Sequence, residues 1–126
     1  MKKIHCDGLT DAQEEMVRDI VGQVAGKWPL WTLHILYQSD EPLRFARLLE
    51  RVCGISQKML TQTLRQLERD GLVTRTVYAE VPPRVEYELT AAGHEMMVEF
   101  RSFWAFVMGK LPDIEEARAR FDGVDI

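Results

Sequence analysis

The residues best placed to do chemistry in this chain lie between positions 56 and 84. Lys58, Thr61, Gln62, Arg65 and Arg69 recur at helical spacing. Advancing about 100° per residue from Leu60 puts all five between about 100° and 200°, whereas Leu64 and Leu67 stay within about 40° of Leu60. One helix would thus bury a leucine edge and expose lysine, arginine, threonine and glutamine, with no acid among them. A solvated helix face normally mixes signs so that charges pair. A stripe without acids suits an approach to phosphates, with Gln, Thr and Arg left to reach base edges in a major groove. Ser56 and Gln57 open the same helix, where free backbone N–H groups also favour a phosphate oxygen. A plain solvated face is the alternative, and the missing acids weigh against it.

A hairpin just downstream adds a second set. Arg75 and Tyr78 stand on its first strand, and Arg84 follows the Pro82-Pro83 tip. Two prolines remove donors and stiffen such a tip. The arrangement suits a wing that straddles a nucleic-acid backbone or enters the minor groove, with Arg84 the firmest of the three contacts. A hairpin that only covers the core is the alternative.

Other chemistry is thin. Cys6 and Cys53 are the two cysteines and cannot build a disulfide framework. Cys53 stands near Arg51 and just ahead of the fourth helix, so its modification could tilt that helix. A disulfide from Cys6 of one copy to Cys53 of another is the redox arrangement open to them; two inert thiols are the alternative. His5-Cys6-Asp7 is too contiguous to chelate, and no CxxC or HxxxH spacing supports a metal. His34, inside an apolar run, reads as a packed histidine, and His94 as a surface one. With no Gly-rich phosphate loop, nucleophile elbow or convergent His/Cys/Asp set, neither catalysis nor a cofactor is expected.

The chain has 126 residues, of which 46% are hydrophobic and 29% charged. That composition predicts a single domain, 1–126, with a real core. No apolar run reaches the roughly 18 residues of a membrane span. The basic start lacks a signal peptide's apolar region, so a cytoplasmic protein with reduced thiols and no membrane partner is expected. A net charge of −4 speaks at first against nucleic acid. Its distribution says otherwise. The stretch from Arg44 to Arg84 holds eight basic residues and four acids, a local +4, and the remainder carries −8. Local field, not net charge, steers a polyanion.

The elements that must position these residues follow from pattern. Thr10-Asp11-Ala12-Gln13 is a capping box for a first helix with Met16, Val17, Ile20, Val21 and Val24 on one stripe. A second helix, about Trp28 to Gln38, has almost no polar face and should be the buried hub. Phe45, Leu48, Leu49 and Val52 mark a short third helix, and Ser56 caps the fourth, which ends at Gly71. Two short helices joined by a Gly-containing turn are the signature of a helix-turn-helix. Strands at about Leu72 to Ala79 and Val85 to Leu89 form the hairpin. A last long helix, from after Thr90 to about Lys110, is apolar around far more than one stripe, so part of it needs a partner outside its own core, most simply a second copy of the chain. A short charged helix from Asp113 to Phe121 ends the pattern. The fold class is α+β, mainly α: a winged helix-turn-helix with a three-helix core, a recognition helix, a two-stranded wing and a long C-terminal helix.

The segment GISQKMLTQTLRQLERDGLVTRTVYAEVPPRVEYELT, with the upstream AGKWPLWTLHIL, resembles the HxlR-type winged helix-turn-helix transcriptional regulators over roughly Val21 to Trp104. The resemblance implies a homodimer held by the first and last helices, through Met16, Ile20, Met97, Phe100, Phe103, Trp104 and Val107. It also implies double-stranded DNA as partner, a pseudo-palindromic site with half-sites about 34 Å apart, and control of transcription. A winged-helix module that binds only protein is the competing expectation. An apolar effector pocket between the core and the dimer helices is left open. The chain departs from the family in two places. It lacks a Cys-Pro pair opening the first helix, and it has Cys53 where relatives commonly have proline. Redox sensing known in some members therefore does not transfer by alignment.

Overall fold

A computed structural model describes residues 8–123. Its elements run α1 (Asp11–Val24), α2 (Lys27–Gln38), β1 (Leu43–Arg44), α3 (Phe45–Arg51), α4 (Gln57–Arg69), β2 (Val73–Tyr78), β3 (Arg84–Leu89), α5 (Ala91–Gly109) and α6 (Leu111–Asp122). The chain falls into two compact units, a first that ends at His94 and a second that begins at Glu95.

Local signals set most boundaries. The Thr10 hydroxyl accepts from Gln13 N–H at 3.1 Å, and Thr10 N–H donates to Gln13 Oε1 at 2.9 Å, which closes the capping box of α1. Ser56 Oγ accepts from Met59 N–H at 3.0 Å and starts α4. At the other end of α4, Gly71 takes φ +75°. Leu72 N–H then donates back to the Leu67 carbonyl at 2.9 Å, so the helix stops where only glycine turns without strain.

In the first unit the core joins α2, α3, α4 and the sheet. Leu33 and Leu36 of α2, Leu48 of α3 with Val52 just after it, and Leu60, Leu64 and Leu67 of α4 are all buried. The hydrophobic pattern thus placed the leucine edge of α4 correctly. As the apolar pattern implied, α2 is the hub, packing on α1, α3, α4 and β3. Ile55, ahead of α4, is buried as well.

The sheet holds more than the expected hairpin. β2 and β3 pair antiparallel with Tyr78 opposite Arg84, and β1 adds a third strand, Arg44 opposite Glu86. Two residues carry no readable period, and β1 exists because its Leu43 is buried beside Tyr87 of β3. A tight junction ties the sheet to α5. The Thr90 hydroxyl donates to the Gly71 carbonyl at 2.6 Å and accepts from Gly93 N–H at 3.1 Å. A β-carbon on Gly93 would stand 2.3 Å from the Leu72 carbonyl oxygen, so this crossing requires glycine.

In the second unit α5 and α6 carry a run of exposed large side chains, Phe103, Phe106, Met108, Leu111 and Phe121. Among the described residues no helix is long and apolar enough to cross a membrane.

Candidate nucleic-acid interface

The exposed side of α4 is the site's main surface. Ser56, Gln57, Lys58, Thr61, Gln62, Arg65 and Arg69 are all exposed, opposite the buried leucines. Lys58, Arg65 and Arg69 have no ion-pair partner among the described residues. Two of the polar residues are partly committed. Ser56 Oγ is used as the helix cap, and the Thr61 hydroxyl donates back to the Gln57 carbonyl at 2.9 Å. Gln62 and Arg65 therefore remain as the side chains with free donors in the middle of the stripe. Arg69, at the far end, lines an open depression of about 850 Å³ between α1 and α4, together with Glu15, Arg18, Asp19 and Asp70. Ala12, Met16 and Ile20 complete that lining, so it is mixed in character, where the sequence leaves room for an apolar effector pocket.

The wing is different in kind. Arg84 lies over the Tyr78 ring at 4.0 Å, and its guanidinium meets Glu80 at 3.5 Å and Glu86 at 3.9 Å. Arg75 Nε donates to Glu68 Oε1 of α4 at 3.3 Å. Both arginines expected at the nucleic acid are thus held by carboxylates of their own unit, and the tip itself presents Val81, Pro82 and Pro83 to solvent. Neither pairing has helical spacing behind it: Glu80 and Arg84 lie at the hairpin tip, and Glu68 reaches Arg75 across the turn after α4. Opposite Arg75 stands Tyr87. Burial pushes its phenol above the usual 10.0, with Arg75 pulling it down and Glu68 adding to the rise.

Of the residues expected to join two copies, Met16 is 62% and Phe103 63% exposed, Trp104 and Val107 are exposed, and Ile20 and Phe100 are half-buried. Met97 differs: at 3% exposed it is buried within the chain itself and leaves nothing for a second copy to cover. Cys53 is exposed beyond the end of α3, and Cys6 lies outside the described residues. His34 is half-buried with its ring 5.5 Å from Trp31; His94 is exposed and 5.8 Å from the Tyr37 ring. Met59, which the sequence pattern assigns to neither face of α4, is exposed as well.

A profile of the HxlR-like helix-turn-helix family matches residues 23–114. The chain belongs to the HxlR-like family. An uncharacterized HTH-type transcriptional regulator of Methanothermobacter thermautotrophicus is 48% identical over 77 residues, 61% of this chain and 57% of that protein. The chain thus spans little more than half the length of this curated relative. The uncharacterized HTH-type transcriptional regulator YtfH of Escherichia coli is 31% identical over 112 residues, 89% of this chain and 87% of its own. The solved structure of ytfH from Salmonella typhimurium superposes with a TM-score of 0.72 at 33% identity, covering 82% of this chain and 90% of that one. The HxlR-like winged-helix architecture is therefore shared across chain and structure, and the relatives are named regulators of transcription.

Proposed function

We propose that this HxlR-like chain is a sequence-specific, double-stranded-DNA-binding regulator of transcription that acts as a homodimer. α4 enters the major groove, and the β2–β3 wing lies on the backbone or in the minor groove. The observation that carries this is the α4 stripe, where Lys58, Arg65 and Arg69 have no ion-pair partner among the described residues while both wing arginines do. Unpaired cations beside neutral hydrogen-bonding side chains suit a surface that neutralises phosphates and reads bases. Two copies would present two such helices to half-sites about one helical turn apart.

The test is binding to duplex selected from a randomised pool, measured from about 50 to 200 mM salt. Affinity should fall steeply with salt, because each phosphate neutralised releases counterions. Selected sequences should carry an inverted repeat. Absence of binding at every salt concentration would refute the proposal.

A further inference from the structure

Two cations outside the α4 stripe flank one turn, Lys27 through the indole beside it and Arg51 at the helix end that leads into it. Residues 52–56 join α3 to α4, with Gly54 at φ +85°. Trp28 Cη2 stands 3.8 Å from where a β-carbon on Gly54 would lie, so the indole borders this turn. Lys27 Nζ sits 4.5 Å from the centroid of the same indole. The ring therefore holds the ammonium beside the turn and leaves its other side to solvent. Arg51 ends α3 three residues before Gly54 and is exposed. Neither Lys27 nor Arg51 has an ion-pair partner among the described residues. The carboxylate next in sequence, Glu50, is already engaged by Arg47 at 3.5 Å.

We infer that Lys27 and Arg51 form a second phosphate-binding point at the α3–α4 turn, which grips the backbone of duplex DNA beside the groove that α4 enters. This inference rests on the DNA-binding reading above. The occupant follows from the chemistry. An ammonium and a guanidinium without acid partners, at the turn just ahead of Ser56 and Lys58, continue the positive surface of α4 toward its N-terminal end. Neither belongs to the Gln62–Arg65 stripe of α4. In a helix-turn-helix the first helix crosses the backbone while the second enters the groove. Contacts of this kind fix register and orientation and carry no sequence information. The pair should therefore strengthen binding to every duplex alike.

The test compares full-length wild type with Lys27→Gln, Arg51→Gln and the double variant on two probes, a random-sequence duplex and a duplex selected from a randomised pool. Anisotropy is followed from about 50 to 200 mM salt. For the double variant the plot of log affinity against log salt should flatten by about 1.8, near 0.9 for each lost phosphate contact. Affinity should drop by the same factor on both probes. Lys27→Arg should restore the wild-type slope at that position, and Arg47→Gln should leave the slope unchanged, since Arg47 is held by Glu50. A purely structural role for either cation would change melting temperature but not the slope. If wild type binds and the double variant keeps its slope, the inference fails while the DNA-binding reading stands. If wild type binds neither probe at any salt, both fall together.

Discussion

Lys58 and Arg84 carry the same charge in opposite company, and company decides what each can offer a polyanion. Lys58 is exposed on α4 with no ion-pair partner among the described residues. Arg84 stacks on Tyr78 between Glu80 and Glu86. A phosphate approaching Arg84 must compete with two carboxylates, so the net charge gained there is small. Lys58→Ala should accordingly weaken all sequences alike and flatten the salt dependence by about 1, whereas Arg84→Gln should change that slope much less. Gln62→Ala and Arg65→Ala should act on preference instead, each costing on the order of 1–3 kcal/mol if bidentate to a base. Salt titrations on selected and mismatched duplexes separate these outcomes. A change of base preference on removing Lys58 would overturn the assignment of roles.

Among the elements, α4 is fixed at both ends by local chemistry, the Ser56 cap and the Gly71 stop, so its face is presented at a set angle to the core. The wing hangs on a less forgiving joint. Thr90 bridges Gly71 and Gly93, and Gly93 lies against the Leu72 backbone with no room for a β-carbon. Its neighbour there is a carbonyl oxygen, which cannot swing aside as a side chain would. Gly93→Ala should therefore destabilise the chain by about 1–3 kcal/mol, as overpacking does elsewhere. Urea unfolding would check this, with Ala92→Ser, at an exposed position one residue earlier, expected to be nearly neutral.

For the whole molecule, the unspent apolar surface is the main fact. Val24 ends the α1 stripe buried, but Met16, Val17 and Val21 of the same stripe are exposed, as are Phe103 and Phe106 of α5. Exposed apolar residues recurring along two helices suit a mate more than they suit water. On the homodimer reading, Phe103→Glu with Phe106→Glu should shift the sedimentation coefficient from dimer to monomer. It should also weaken binding to a two-half-site duplex far more than to a single half-site. A double variant that remains dimeric would place the interface elsewhere. The overall charge of −4 fits the same picture. A local surplus of +4 lies between Arg44 and Arg84, and the acidic remainder opposes indiscriminate adhesion to polyanions.

The elements, their caps, the leucine edge of α4 and the acid-free stripe opposite were legible in the residues alone, because each depends on neighbours within one or two helical turns. The long apolar last helix was legible for the same reason. What only the tertiary structure decided is the state of each charge and each apolar side chain once distant segments meet. Arg75 finds Glu68 across a turn, Lys27 is held over Trp28 beside Gly54, and Met97 is buried in its own chain. The two-residue strand β1 forms because β3 is there to pair with it. Periodicity fixes which way a side chain faces along its own element; what it meets there depends on how the chain returns on itself.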